Sequence, residues 1–554
     1  MKKIFLRGVS AILCIAMAAA VLFSVTAADK TPGDINKDGE VDNKDVVSLF
    51  RHLSGDESEV DERACDTNAD GEIDNKDVVA LFRHVSDPNY VIFYGKEDDA
   101  SDEETTEEIT DPEETSDPGE ETETEETTGE PEEPDDDDNI FRTWDDSVKD
   151  LFTDLRSTEI SIKDNGIALK YTAASTGNPR FNINVAEYAR IKEKRTLTGA
   201  DASFVVIKIK SNTDGDLRLY GSKPSGGSKL VSYKPDGEYH YIILDLTATK
   251  AVNDEYLSTM RVEWATSKAQ AGSEAFIKEI GFFTTLDDAL DYCAVIAGTQ
   301  SGIVRDGTPK KYVTMSFDDA TQQDLRVIQI LKKYGITKAT FFINTGLCGV
   351  DWTVNVSQML GKEVEHKRFT MAELKTGIYD GYDLECHTLN HPSMKQYDNN
   401  PEMVKKELIT DAINIFNLTG IYPAGLAWPG SSAEQTNTTR KLVYENTNLR
   451  FARGTTFQYT KFNPPKEFLI WEPTCSMSNS GCLNYFKRFL KKECTEDMLF
   501  YGFAHGFEFD ANNSWDVFEE FIKAVSEAED VILVTNAEFY QLFKDEIPAY
   551  IPAE

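Results

Sequence analysis

The 554-residue chain is poor in cysteine, with eight, and in histidine, with seven. Eight cysteines scattered over this length do not form a disulfide framework, and although Cys475 and Cys482 are near enough to pair, nothing demands it. Beyond residue 28 no stretch reaches the roughly 18 apolar residues of a membrane helix. Basic clusters are also missing, which excludes a nucleic-acid partner. Between Glu97 and Asp138 there is no Lys or Arg at all, against 24 Asp and Glu. That segment, interleaved with Thr, Ser, Pro and Gly, cannot bury enough apolar surface to offset its ordering entropy, and its charges repel. Residues 91–139 therefore read as an extended disordered linker, on the order of 140 Å long when stretched. Much of the net charge of −40 belongs to this spacer and implies no partner.

The length implies three or four domains. Lys2, Lys3 and Arg7 precede an apolar run from Val9 to Val25, and Ala27-Ala28 follows. Residues 1–27 read as a secretory signal peptide, so the mature protein is expected outside the cell and off the membrane.

From Gly33 to Val85 the sequence repeats with a period of 32. Oxygen donors fall at loop positions 1, 3, 5, 9 and 12: Asp34, Asn36, Asp38, Asp42 and Asp45, then Asp66, Asn68, Asp70, Asp74 and Asp77. Gly39 and Gly71 stand at the sharp turn, and the carbonyls of Glu40 and Glu72 supply position 7. Two such loops in register predict two bound calcium ions. Each loop has little room for an entering helix, and position 12 is Asp, so residues 32–90 resemble a dockerin domain. The resemblance implies docking onto a cohesin of a cellulosome scaffoldin through Asn43-Lys44 and Asn75-Lys76, with Leu49, Phe50, Leu81 and Phe82 on the following helices. His52 and His84 read as surface helix residues.

Residues 140–290 alternate with period two between turn signals, as in Phe204–Lys210, Leu217–Tyr220, Tyr239–Leu246 and Phe276–Phe283. This is the pattern of an all-β sandwich. It resembles the jelly-roll folds used as carbohydrate-binding modules, which makes Tyr220, Tyr233, Tyr239 and Trp264 candidates for stacking on sugar rings, with core packing the other reading.

Residues 300–550 alternate short apolar runs with amphipathic helical stretches, the α/β pattern of a parallel sheet, open or closed into a barrel. Expected strands are 312–317, 339–343, 382–386, 425–428, 498–504 and 531–535. Helices are expected at 321–334, 370–376, 401–418, 433–444 and 514–527. Ionisable groups stand at three strand ends: Asp318-Asp319, His387 with His391, and His505. In an α/β sheet, functional groups collect at that rim. Pro392 keeps His391 off a helix, so the two histidines are expected on a loop. With one carboxylate they make a two-His, one-carboxylate site with open positions, a pattern of catalytic metals.

These residues resemble the NodB-like polysaccharide deacetylases, carbohydrate esterase family four, whose fold is a distorted β/α barrel. Ser316-Phe317-Asp318-Asp319 meets the first motif and His387-Thr388-Leu389-Asn390-His391 the second. The resemblance implies that Asp319, His387 and His391 bind a divalent metal, zinc or cobalt, that Asp318 is the general base, and that His505 is the general acid. The third motif departs from the pattern. Ala427 stands where an Arg that orients the base would be, and Arg453 either supplies that cation from a neighbouring strand or forms a structural ion pair. Gly430 is expected to offer its backbone N–H to the oxyanion, and Trp428, Pro429 and Trp471 to bind substrate, with core packing the other reading for the two tryptophans. Together these features imply a secreted, cellulosome-associated deacetylase, first an acetylxylan esterase. An N-deacetylase of chitin-type or peptidoglycan glycans, or a catalytically silent glycan-binding component, are the other readings.

Overall fold

A computed structural model describes residues 140–552 apart from 143, 173–177, 191–202, 221–229, 248–258, 266–270, 294–301 and 304. Nearer the N-terminus it describes 33–37, 41, 44–45, 48–49, 52, 62–65, 67, 73 and 81. The chain divides into two units, Met1–Thr128 and Gly129–Glu554. Among the described residues no helix is long and apolar enough to cross a membrane.

In the first unit Asp34 and Asp45 are buried, and the Asn36 N–H donates to Asp45 Oδ1 at 3.0 Å. The Gly33 N–H donates to the carbonyl of Ala64, the residue before the second repeat begins, and Ile35, Leu49 and Leu81 are buried. The other expected calcium ligands, Asp38, Glu40, Asp42, Asp66, Asn68, Asp70, Glu72, Asp74 and Asp77, lie outside the described residues, as do residues 1–27 and 91–139.

The second unit begins with strands β1 (Ile140–Phe141), β2 (Phe152–Arg156), β3 (Thr158–Ile162), β4 (Ile167–Tyr171), β5 (Arg180–Ile183) and β6 (Phe204–Ser211). Then come β7 (Asp216–Tyr220), β8 (Val231–Ser232), β9 (His240–Asp245), β10 (Met260–Ala265) and β11 (Glu274–Phe283). One antiparallel sheet runs β3-β4-β11-β6-β9 with β1 on β11, and the other β2-β5-β10-β7-β8. Successive side chains in a strand point to opposite faces. On β6, Val205, Ile207 and Ile209 therefore fill the space between the sheets, against residues such as Leu219, Val262 and Trp264. Phe204 and Val206 point the other way, yet they are buried too. With Ile243 and Phe283 they belong to the same core as Leu408, Ala412 and Phe416 of the Pro401–Thr419 helix. The sandwich and the α/β layer thus bury one continuous apolar core. Polar groups lock it: Asn417 accepts from the Ile243 N–H at 2.7 Å and donates to its carbonyl at 2.9 Å. Buried Lys375 reaches Asp214 at 3.0 Å and Asp216 at 2.7 Å.

The α/β layer holds β12 (Lys311–Asp318), β13 (Thr340–Ile343), β14 (Asp383–Cys386), β15 (Gly425–Ala427), β16 (Phe451–Arg453), β17 (Cys475–Ser476), β18 (Met498–His505) and β19 (Ile532–Leu533). The order is β16-β15-β14-β13-β12-β18-β17, with β19 on β12, and every pairing is parallel. Among the described residues the path ends at β16 and β17, so the expected barrel is met as an open, curled parallel sheet. β12 is buried on both faces, so its sequence is largely apolar, and the hydroxyls of buried Thr314 and Ser316 are met by Asn536 and Tyr501.

The Pro401–Thr419 helix matches its expected span within a residue, started by Asn400 as N-cap with Pro401 behind it and stopped by Gly420 at φ +75°. The first helix begins at Asp324, not Thr321, because Thr321 bridges Arg368 and extends the turn that carries Asp319. Helices Thr353–Leu360, Cys482–Lys491 and Asn536–Phe543 had no counterpart in the sequence reading.

Candidate active site

Parallel register gathers the ionisable strand ends. Asp318 at the end of β12 stands beside His505 of β18 and Phe342 of β13, and Ile343 of β13 beside Cys386, one residue before His387. Three side chains far apart in sequence therefore share one rim. The backbone turns sharply there: Asp319, Ala320, Thr388 and His391 all have φ between +52° and +79°. Non-glycine residues rarely occupy that region, and such strain gathers at functional sites.

Asp319, His387 and His391 place one ligand atom each within 4.8 Å of one another. The His387 Nδ1–H donates to the Ala427 carbonyl at 2.9 Å, which fixes the tautomer and turns the lone pair of Nε2 inward. That buried Nε2 has no hydrogen-bond partner and lies 3.8 Å from Asp319 Oδ1. His391 Nε2 is 3.9 Å from the same oxygen. Burial, outweighing the pull of Asp319, pushes both imidazoles down to about 3, so both are neutral. Two neutral imidazole nitrogens facing one carboxylate, one of them an orphaned buried acceptor, fit a divalent cation. The expected donor set is therefore together, and the histidine pair lies on a loop.

Asp318 sits beside this set, its Oδ2 3.4 Å from His387 Nε2 and 3.8 Å from His505 Nε2. The guanidinium of Arg453, fully buried on β16, donates to the same oxygen and lies 4.0 Å over the Phe503 ring. Burial pushes Asp318 up and Arg453 draws it down, with a net rise. His505 Nδ1 pairs with Glu508 Oε1 at 3.0 Å. Burial opposes an imidazolium there, but that carboxylate prevails and holds His505 up at about 9. Side by side stand a carboxylate able to take a proton and an imidazolium able to give one.

Residues 305–452 match the polysaccharide deacetylase family, and residues 32–86 match the dockerin type I domain. The deacetylase match runs from just before β12 to β16, about a quarter of the chain. Among solved structures, the Streptococcus pyogenes deacetylase PplD in complex with acetate is 23% identical, covering 28% of this chain and 61% of its own, with a TM-score of 0.22. The Xyl-CE4 domain of a multidomain xylanase from the hindgut metagenome of Trinervitermes trinervoides is 16% identical, covering 44% and 96%, at 0.27. A family 29 carbohydrate-binding module is 11% identical, covering 27% and 90%, at 0.20. No curated protein matches the chain.

The match to the deacetylase domain stops just before Arg453 and well before His505, so those two residues stand on geometry alone. Gly430 is exposed at φ +75°, in the turn after buried Pro429. The two tryptophans expected on the substrate side are corrected. Trp428 and Trp471 are each 1% exposed; the Trp428 Nε1–H donates to the Leu469 carbonyl, and Trp471 packs among Phe451, Phe468 and Phe539. In the sandwich, Tyr233 and Trp264 are likewise internal, bonded to each other at 2.8 Å, whereas Tyr239 is 38% exposed and Tyr220 half-buried.

Sequence reasoning missed the partners of Asp319. His366 Nε2 lies 3.0 Å from its Oδ2, and Arg368 donates to its Oδ1 at 2.7 Å. Burial alone would raise Asp319, but Arg368 and the histidines hold it far below the usual range, as a fixed anion. In this stretch Val364, His366 and Arg368 are buried while Glu365 and Lys367 are exposed, so polar residues are turned inward by the tertiary packing. Trp352 covers them, 4.1 Å from the Arg368 guanidinium and stacked on His366. The histidine loop of the deacetylase domain is held from behind by two carboxylates one helical turn apart. Glu407 accepts from the Asn390 N–H and side-chain amide, both at 2.9 Å. Asp411 accepts from the His387 N–H at 3.2 Å and the Thr345 N–H at 2.8 Å.

Proposed function

We propose that the chain is an exported, cohesin-docked, metal-dependent carbohydrate esterase that removes acetyl groups from plant cell-wall polysaccharide, acetylxylan first. The observation that carries this is the convergence of Asp319, His387 and His391 on one point, with Asp318 and His505 flanking it. A divalent cation in that set, zinc or cobalt, supplies Lewis acidity toward an acetyl carbonyl. Asp318, oriented by Arg453, takes the proton of the attacking water. The exposed Gly430 N–H donates to the carbonyl oxygen as it gains charge. His505 gives its proton to the departing sugar oxygen as the acyl C–O bond breaks, leaving acetate and a free hydroxyl. The imidazolium held by Glu508 supports that role, because it is charged at neutral pH.

The dockerin domain supports docking on a cohesin and two calcium ions in the first unit. It also tilts the substrate toward plant polysaccharide. Acetate release by the full chain, offered acetylated xylan and chitin oligomers side by side, tests the reading. Release from xylan that chelator abolishes and zinc or cobalt restores is the expected result. Release from chitin oligomers alone would move the reaction to N-deacetylation, and silence on both with metal bound would leave a glycan-binding component.

A further inference from the structure

A line of aromatic rings leads outward from His505. Its ring lies 5.3 Å from Phe503, and Phe503 lies 6.4 Å from Phe457. Phe457 lies 6.0 Å from Tyr459, and Tyr459 lies 5.4 Å from Tyr485 on the Cys482–Lys491 helix. Burial falls along this line: Phe503 is buried, Phe457 and Tyr485 are half-buried, and Tyr459 is 47% exposed.

Core packing does not account for Tyr459. Its φ is +52°, a left-handed conformation that is unfavourable for a non-glycine residue. Its ring gains little burial in return. The conformation is nevertheless fixed by main-chain bonds, from Tyr459 N–H to the Thr474 carbonyl at 2.7 Å and from Gln458 N–H to the Pro473 carbonyl at 2.9 Å. Nearby, the Thr456 N–H donates to Glu472 Oε2 at 2.6 Å. A strained, rigidly held and exposed aromatic, linked to His505 through the buried Phe503 ring, is built to meet a ligand. Its partners offer ring faces, with the Arg488 guanidinium 5.9 Å over the Tyr485 ring, and such faces suit the apolar C–H faces of pyranose rings.

Resting on the deacetylase reading above, we infer that Phe457, Tyr459 and Tyr485 form a distal subsite. It stacks sugar units of an extended glycan beyond the unit that loses its acetyl group. The enzyme then prefers oligomers to single acetylated sugars.

Calorimetric titration of the full chain with unacetylated xylohexaose and chitohexaose tests this independently of catalysis. Tyr459→Ala should weaken binding of the hexamer that the wild type holds by about three- to tenfold, the worth of one aromatic contact. Tyr459→Phe should keep it. With acetylated hexamer, KM should rise by the same factor at unchanged kcat, while activity on an acetylated monosaccharide stays constant. Failure of the wild type to bind either hexamer overturns the subsite. So does hexamer affinity that Tyr459→Ala leaves untouched, because that binding belongs to another surface. Tyr459-dependent binding without acetate release would keep the subsite and remove the deacetylase reading, whereas release with Tyr459-independent binding would do the reverse.

Discussion

Arg453→Met probes the base proposed for Asp318, because the cation beside that carboxylate comes from β16. Arg453 and Asp318 are 0% and 1% exposed, so no water can replace the lost guanidinium. Removing one partner of a buried ion pair costs about 3–5 kcal/mol. Spread over a unit of this size, that is a fall of about 3–6 °C in melting temperature. Catalysis should suffer more. Burial pushes Asp318 up and Arg453 draws it down, so loss of Arg453 raises it further. A base works only when ionised, so the rate falls as pH drops through its pKa, and a higher pKa moves that limb upward. At pH 7, kcat/KM should drop about a hundredfold, recovering in part as pH rises. KM should hardly move, since Arg453 is buried behind Asp318. Arg453→Lys, which keeps the charge, should restore about tenfold. A folded Arg453→Met enzyme with the wild-type pH profile would refute the reasoning.

Two further outcomes follow from the structure. Glu508→Gln removes the group that holds His505 up at about 9 against burial, so the alkaline limb of the rate should move down toward neutrality. The folded pKa lies above the unfolded 6.5, so this pair stabilises the fold fully below pH 6.5 and no longer does above about 9. Thermal melts at pH 6 and 9.5 should therefore differ more in the wild type than in Glu508→Gln, and an unmoved alkaline limb would sink the assignment. Cutting the chain to residues 302–552 uncovers the side of the Pro401–Thr419 helix that packs on β8 and β9, including Phe416, and large apolar side chains are worth about 1.5–3 kcal/mol each when buried. That fragment should melt well below residues 140–552 or fail to remain soluble, and equal melting temperatures would show that the shared core is dispensable.

What was legible in the sequence followed periodicity and motif spacing. β12 is legible as a largely apolar run, and the two carboxylates at its end are a poor choice for a core and a common one for a catalytic rim. The histidine pair was placed on a loop by Pro392, and the φ of +57° at His391 agrees. Arg453 reads either as the source of the missing cation or as a structural ion pair, and it meets Asp318, a contact common to both readings. The tryptophans were harder. A ring beside a motif can face the cleft or the layer behind it, and the Leu469 carbonyl that takes the Trp428 N–H lies on a distant segment. His366 and Arg368 were hidden because the loop between β13 and β14 carries them to Asp319, and only tertiary packing selects that loop. β6 held a clue left unused: its run Phe204-Val205-Val206-Ile207 departs from strict alternation because both faces are covered.

The most direct test is Asp318→Asn in the full chain, with metal content and acetate release measured on the same preparation. Asp319, His387 and His391 are untouched by this change, so one divalent ion should remain bound while acetate release from acetylated xylan falls by at least about a hundredfold. A metal-loaded Asp318→Asn protein that releases acetate as fast as the wild type would contradict the account.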